Sequence, residues 1–213
     1  MGDDRVAALA SAYRRALVCA EAAGFRDEID WARRVRVRDL TEQTFLRETS
    51  WCILNAGMRE SVVRRLFPRI ANCFWDFISS EAICSTSDTC VALALRTFNH
   101  PKKMNAIVDS AKRVVLTGGF DALRQKLMGP DALMVCRAFP YIGPVTCYHL
   151  ARNIGVDCAK PDRHLVRMAK RWRFPDVWSL CASVAKAVHE RVGVVDVVLW
   201  RHSAMGCDCI SFG

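Results

Sequence analysis

The stretch that most constrains the fold reads FPYIGPVT and runs from Phe139 to Thr146. Helical periodicity precedes and follows it, so we interpret Phe139 to Gly143 as a tight turn between two helices, the second beginning at Pro144. Proline suits the first turn of a helix because it lacks only an N–H that the helix would not use. The free N–H groups at such a helix start, together with the helix dipole, can hold a phosphate oxygen. An ordinary helix–helix corner would have the same features, so the turn alone leaves both interpretations open.

A second motif, AKPDRHLVR, runs from Ala159 to Arg167. Its aspartate, Asp162, lies nineteen positions after Gly143. Asp162 stands where a helix is predicted to begin, and aspartate is a favourable helix N-cap. A carboxylate can also stabilise positive charge that develops on a substrate. The sequence is compatible with both roles, and one side chain can hold both.

Helical periodicity runs along the whole chain, and no pair of alternating segments joined by a hairpin turn indicates a β-sheet. The predicted fold class is therefore all-α, with many short helices. We predict two short helices at residues 61–66 and 68–78, a polar loop at residues 79–88, and one long helix from Asp176 past Val192. We expect the first segment, to about residue 35, to pack with the last helices.

The charge of the chain favours a polyanionic partner. Its 213 residues include 31 lysines and arginines against 22 aspartates and glutamates, a net charge of +9 with a pI near 9.2. Nucleic acid is the commonest polyanion that so basic a protein meets. With no signal peptide and no apolar run of membrane-spanning length, we expect a cytoplasmic location, or a nuclear one if the source has a nucleus.

Taken together, the two motifs resemble those of the helix-hairpin-helix (HhH-GPD) DNA glycosylase superfamily. Members carry a hairpin of the form L-P-G-h-G-x-x-T, then a loop, then an aspartate followed by x-H-h-x-R. The matching residues here are Phe139, Pro140, Ile142, Gly143, Thr146, Asp162, His164, Leu165 and Arg167. The resemblance extends upstream through LNAGMRE (residues 54–60) and residues 98–111, and it spans roughly residues 40–170. Tyr141 stands in place of the first hairpin glycine.

The resemblance implies an all-α fold of two helical lobes with a DNA-binding cleft between them. Residues 1–213 would form one catalytic unit, with a central lobe at about residues 40–130 and a hairpin-containing lobe of residues 131–213 with 1–39. It further implies a DNA glycosylase, which flips a damaged or modified base out of duplex DNA and hydrolyses its N-glycosidic bond. Asp162 would be the catalytic carboxylate, double-stranded DNA the partner, and the protein a monomer.

The resemblance also assigns roles to residues around this carboxylate. The residues expected to contact DNA phosphates at the hairpin and on the helix after Asp162 are Tyr141, Ile142, Gly143, Val145, Thr146 and Arg167. The candidates for the base pocket, or for the wedge that fills the gap left by a flipped base, are Trp51, Asn55, Met58, Arg59, His149 and Lys160. Trp51 and Tyr141 could equally be core aromatics, and His164 a packed core histidine.

Two alternative functions stay open. Bifunctional members carry a nucleophilic lysine two residues after the last hairpin glycine, where this chain has Val145, so the resemblance favours the monofunctional branch. Lys160 is the one candidate for a substituted nucleophile in a bifunctional glycosylase/AP lyase. A non-catalytic helix-hairpin-helix DNA-binding module would need the turn but not Asp162. The excised base could be alkylated, oxidised, mismatched, or a modified base of foreign DNA.

The cysteines predict free thiols rather than a cofactor site. There are eleven of them, with no CxxC pair, and only Cys207-x-Cys209 is closely spaced. This pair cannot supply the four thiolates of an iron–sulfur cluster, so no cluster and no metal are expected. The resemblance allows one exception, a monovalent cation held by the hairpin carbonyls.

Overall fold

The structure, a computed structural model, describes residues 3–206 and is all-α, with no strand in that range, as predicted. The helices are numbered in chain order. Their bounds are α1 Asp3–Ala20, α2 Arg26–Arg34, α3 Glu42–Asn55, α4 Glu60–Cys73, α5 Ser80–Ser85, α6 Ser87–Thr97, α7 Pro101–Leu116, α8 Phe120–Met128, α9 Ala132–Arg137, α10 Thr146–Asn153, α11 Arg163–Arg171, α12 Val177–Val188 and α13 Val192–Ala204. None of the described helices combines the length and the apolar character that crossing a bilayer requires.

The chain divides into two compact units. The central unit, Arg36–Val156, contains α3 to α10, and the terminal unit, formed by the segments up to Val35 and from Asp157 onward, contains α1, α2 and α11 to α13. In the terminal unit α1 packs against α12 and α13, which confirms that the first segment packs with the last helices. The hairpin segment 131–156 clusters with the central unit rather than with the termini, because α9 packs against α8 and α10 against α3. A DNA-binding cleft between two lobes stays a prediction.

The core of the terminal unit forms around α13. Its sequence VGVVDVVLW is apolar on every side, as is typical of a helix surrounded by others. The run from Gly193 to Leu199 is entirely buried and shares one apolar core with Leu9 and Tyr13 of α1. Asp196 is the only charged residue in that run. A buried carboxylate needs hydrogen-bond donors, and this one finds a donor in the loop before α11.

The segment 79–88 is helical, so the predicted loop is wrong. The hydroxyl oxygen of Ser79 accepts a hydrogen bond from the Ala82 N–H at 3.2 Å and starts α5, and α6 begins at Ser87. Serine is as favourable at a helix N-cap as in a loop. Ile83 and Cys90 are buried and supply the apolar contacts that the polar composition concealed.

α4 is one continuous helix where two short ones were predicted. Pro68 lies inside it and is exposed. A proline removes one intrahelical hydrogen bond and strains the preceding turn. The neighbouring side chains of Phe67 and Ile70 are buried, and this packing holds the helix together across the proline.

The long helix predicted from Asp176 past Val192 is interrupted. Asp176 is the N-cap as predicted, but α12 ends at Val188. His189 takes left-handed backbone (φ +55°), and the N–H of Glu190 donates to the Ala185 carbonyl at 3.0 Å. This geometry is typical of a helix C-cap, although glycine usually holds the position. The chain then turns into α13 as a separate helix.

Candidate functional site

Asp162 lies at the N-terminus of α11 and is half-buried. Its Oδ1 accepts hydrogen bonds from the backbone N–H groups of His164 at 2.8 Å and Leu165 at 3.0 Å. This is N-cap geometry, in which an extended backbone (φ −85°, ψ 169°) turns the side chain back over the first helical turn. Its Oδ2 accepts no hydrogen bond from residues 3–206. One oxygen therefore caps the helix and the other remains available.

Two carboxylates of the terminal unit hold the loop before Asp162. Asp196, which is 3% exposed, accepts the N–H of Lys160 at 2.8 Å. The Lys160 carbonyl in turn accepts the N–H of Asp162 at 2.8 Å. At the other end of the loop, Asp157 accepts the N–H of Gly193 at 2.8 Å. The loop is thus fastened to α13 at both ends, which restricts where the Asp162 carboxylate can lie.

α11 places positive charge next to Asp162. Its sequence RHLVRMAKR has four lysines and arginines and no acidic residue. Arg163 and Arg167 are exposed and form no ion pair with any residue of the described range. Arg163 Nε donates to His164 Nε2 at 3.3 Å, and His164 is half-buried rather than a core residue. Exposed guanidinium groups of this kind suit the phosphates of a DNA strand.

α9 and α10 of the central unit are joined by the predicted tight turn. The N–H of Ile142 donates to the Phe139 carbonyl at 3.1 Å and closes the turn. The N–H groups of Gly143, Val145 and Thr146 donate to no atom in the part of the chain that the structure describes. Val145 is 62% exposed. Backbone donors at the start of α10 are therefore available to an anion.

Two residues of this turn differ in what they can contact. Tyr141 has the backbone that glycine favours, with φ +61°, and its ring is exposed. Left-handed backbone is unfavourable for a residue with a Cβ, so the turn is kept at some cost in strain. Ile142 is buried and its N–H is already used, so it anchors the turn and its side chain is not available to DNA.

A cleft of about 850 Å³ lies in the central unit, lined by α3, the first half of α4 and α10. Four of the predicted residues line it together: Trp51, Asn55, Thr146 and His149. The Asn55 Nδ2 group donates to the Trp51 carbonyl at 3.0 Å, and the His149 side chain is exposed. Folding thus brings α3 and α10, which are far apart in sequence, to one surface.

The two wedge candidates lie in the turn between α3 and α4. Gly57 has φ +71°, and the Met58 N–H donates to the Asn55 carbonyl at 3.0 Å. Arg59 is exposed and Met58 is half-buried, and neither lines the cleft. The base-pocket candidate Lys160 and the phosphate-contact candidate Arg167 belong to the terminal unit.

The cleft presents aromatic rings and guanidinium groups. Trp51 and Phe67 pack edge to face, with ring centroids 5.2 Å apart and planes at 82°. The Arg64 guanidinium lies 5.6 Å from the Trp51 centroid, and that of Arg47 lies 5.0 Å from the Phe67 centroid. Unstacked nucleobases bind on such rings and on guanidinium planes.

Glu48 and Cys52 add polar groups to the cleft. A carboxylate oxygen of Glu48 accepts a hydrogen bond from Asn153 Nδ2 at 2.9 Å, and burial raises the pKa of Glu48. Burial, with the charge of Glu48 nearby, raises the pKa of Cys52 to about 12. The Cys52 thiol is therefore protonated at neutral pH and a poor nucleophile.

No family model matches the chain, and no curated protein matches it. Among solved structures, the chain is similar to the 8-oxoguanine glycosylase/lyase of Methanocaldococcus jannaschii, crystallised in complex with a 15-mer DNA that contains 8-oxoguanine. The two chains are 17% identical with a TM-score of 0.49, and the match covers 90% of this chain and 96% of that one.

Side chains and backbone carbonyls are the groups that could bind a metal ion or another cation in the described residues. Within residues 3–206 no group of three or more histidine, cysteine, aspartate or glutamate side chains could hold a metal ion. Cys207 and Cys209 lie outside the described residues. At the hairpin, the carbonyl oxygens of Pro140 and Ile142 accept no hydrogen bond from the described chain. A monovalent cation at this turn stays a prediction.

Four charged residues with structural roles were not singled out from the sequence: Glu48, Lys103, Asp157 and Asp196. Two of them carried a signal. Asp196 interrupts the apolar run VVDVV, and Lys103 lies on the face of α7 that buries Ile107. A charge on an apolar helix face predicts a buried partner, although it does not say which one.

Proposed function

We propose that this protein is a DNA glycosylase, which flips a damaged or modified base out of duplex DNA and hydrolyses its N-glycosidic bond, leaving an abasic site. The observation that carries the proposal is the state of the Asp162 carboxylate. One oxygen caps α11 and the other accepts no hydrogen bond within residues 3–206, at the start of a helix that carries the exposed Arg163 and Arg167. A carboxylate that served only as a cap would not need the hairpin and x-H-h-x-R residues that accompany it in the sequence.

In the proposed reaction the bond between C1′ and the base nitrogen breaks, and its electron pair leaves with the base. Positive charge develops on the sugar, and the Asp162 carboxylate stabilises it electrostatically. Water then forms the new C1′–O bond, and the proton it loses balances the charge on the departing base. The products are a free base and an abasic sugar.

The proposed contacts with DNA phosphates come from two elements, the hairpin before α10 and the helix α11. The N–H groups of Gly143, Val145 and Thr146 would bind a phosphate oxygen at the start of α10, and Arg167 would bind a further phosphate. A monovalent cation on the Pro140 and Ile142 carbonyls would add positive charge next to the strand. Neither contact depends on base sequence, which suits a protein that must search DNA for rare lesions.

Trp51, Asn55 and His149 are proposed to meet a base, because they line a cleft that combines stacking surfaces with hydrogen-bonding groups. The assay offers several classes of base. Alkylated, oxidised and mismatched bases and modified bases of foreign DNA are all to be offered.

We further propose a monofunctional enzyme, since the exposed Val145 has no amine where bifunctional relatives carry lysine. The bifunctional alternative uses Lys160, two residues before Asp162. Borohydride reduction during turnover distinguishes them, because only an amine nucleophile becomes covalently trapped on DNA. We expect no trapped adduct, and an adduct abolished by Lys160→Ala would establish the alternative.

The central experiment compares Asp162→Asn with Asp176→Asn. Both aspartates are N-caps in the terminal unit, and Asp176 Oδ1 accepts the Ser179 N–H at 2.7 Å. Asparagine caps a helix about as well as aspartate, so both variants should keep their stability. Damaged and modified duplexes are incubated with each protein, and free bases are identified by mass spectrometry. We expect Asp162→Asn to slow release by at least about a hundredfold while Asp176→Asn matches the wild type.

Equal rates in the wild type and Asp162→Asn would end the catalytic assignment. If the wild type binds duplex DNA tightly but releases no base from any substrate, the chain is the non-catalytic binding module. That module would also bind with unchanged affinity after Asp162→Asn.

A further inference from the structure

Lys103 is a buried lysine whose ammonium group is fully used inside the central unit. It lies in the first turn of α7 and is 2% exposed. Its Nζ donates to three backbone carbonyls, those of Ile53 at 2.6 Å, Leu54 at 2.7 Å and Ala56 at 2.6 Å. An ammonium group has three hydrogens to donate, so these three acceptors satisfy it completely.

All three carbonyls belong to the end of α3 and the residue that follows it. The last carbonyls of a helix lack intrahelical partners, and they also carry the negative end of the helix dipole. Lys103 supplies both the hydrogen bonds and the positive charge from another helix. It thereby fixes the start of the turn Ala56–Arg59, which carries the two wedge candidates. Burial lowers the pKa of Lys103, and the arrangement persists because the carbonyls replace the lost water.

A side chain of the hairpin turn, that of Tyr141, also contacts the Lys103 ammonium group. The Tyr141 ring centroid lies 5.5 Å from Lys103 Nζ, a distance typical of a cation–π contact. Tyr141 makes this contact from left-handed backbone, φ +61°, which a side chain rarely adopts. Glycine would hold this backbone without strain but would have no ring to place beside the lysine.

We propose that Lys103 is a positioning residue that ties together two turns of the central unit, Ala56–Arg59 and the hairpin at Tyr141. The hairpin would hold the strand while Met58 or Arg59 enters the duplex, and the shared lysine keeps the two turns in register. This inference rests on the proposed function, because it assigns a task to turns that only a base-flipping protein needs.

The test measures binding to two duplexes, one intact and one with a stable tetrahydrofuran abasic site. A wedge fills the gap of the abasic duplex, so the wild type should prefer it, whereas phosphate contacts act on both duplexes. In Lys103→Met, a length-matched side chain without donors, we expect the preference to fall by about tenfold (about 1.4 kcal/mol). Binding to the intact duplex should change by less than about twofold. Lys112→Met is the control, since it removes the same charge from an exposed position of α7.

The outcomes separate positioning from folding. A folded Lys103→Met that keeps the preference overturns the proposal, and so does equal weakening on both duplexes, which is what a purely structural role predicts. If Lys103→Met does not fold, Tyr141→Leu replaces it in the same binding test, because Tyr141 is exposed and its loss should not unfold the protein. An unchanged preference of Tyr141→Leu for the abasic duplex also contradicts the proposal. Base release by the wild type is measured in parallel. If the wild type releases base but does not prefer the abasic duplex, the role proposed for Lys103 is wrong and the glycosylase proposal is unaffected. If the wild type releases no base, the glycosylase proposal is wrong.

Discussion

Replacing Asp196 with leucine tests whether a buried carboxylate positions Asp162. The carboxylate accepts the Lys160 N–H, and the Lys160 carbonyl accepts the Asp162 N–H, each at 2.8 Å. Leucine has a similar volume but no acceptor, so the Lys160 N–H would lose the Asp196 acceptor in a partly buried place. Leaving such a group unsatisfied costs about 1–3 kcal/mol. We expect the free energy of unfolding in urea to fall by about 2 kcal/mol, with an unchanged m-value.

The effect on catalysis should exceed the effect on stability. The loop can regain a partner for Lys160 by moving toward water, which would carry Asp162 with it. A displacement of about 1 Å at a reacting group lowers the rate by about a hundredfold. DNA affinity should stay near the wild-type value, because the proposed phosphate contacts lie on the hairpin and on α11. Single-turnover base release and equilibrium binding separate the two quantities.

Asp196→Asn is the matched control because its amide oxygen keeps an acceptor for the Lys160 N–H. It should recover most of the lost rate. The reasoning is refuted if the leucine variant releases base at the wild-type rate while folded. It is equally refuted if leucine and asparagine are impaired alike, since the loss would then follow the charge and not the hydrogen bond.

Two further changes test the central unit. Gly155→Ala should lower the free energy of unfolding by at least about 2 kcal/mol. The reason is that Gly155 has φ +90° and a Cβ would stand 2.7 Å from the Arg36 backbone. Urea unfolding measures the change, and a stability within error of the wild type would contradict the close approach. Glu48→Gln should raise the melting temperature at pH 7. Burial raises the pKa of Glu48, so the ionised side chain destabilises the fold at a pH above that pKa. This destabilisation disappears as the pH falls toward 4 and Glu48 becomes protonated. Melting curves across that pH range should converge at the acid end, and curves that stay parallel would contradict the assignment to Glu48.

Local features of the fold could be predicted from the sequence because their causes lie within a few residues. Asp162 caps α11 through N–H groups two and three positions later, and Asp176 caps α12 through the N–H three positions later. The helical fold class follows from periodicity for the same reason. The break at His189 was missed, because its cause is a left-handed residue that is not glycine.

Long-range features could not be predicted, since their partners are distant in the chain. Lys103 bonds to carbonyls near position 54, and Lys160 to a carboxylate at position 196. The cleft likewise forms only when α3 and α10 come together. These contacts could not be predicted because their partners are far apart in the sequence, although the interactions themselves are strong.

The buried charges also explain why stability and the proposed function should be difficult to separate in this protein. Burying a charge is unfavourable unless hydrogen bonds compensate, so Lys103 and Asp196 constrain the backbone atoms that supply those bonds. In both cases the constrained backbone directly precedes a segment with a proposed role at DNA: the Ala56–Arg59 turn for Lys103, and Asp162 for Asp196. An apolar core residue would hold its neighbours with less directional control. Substituting either charge should therefore loosen one defined segment while the surrounding helices keep their packing, and amide hydrogen exchange should locate the faster-exchanging N–H groups in those two segments.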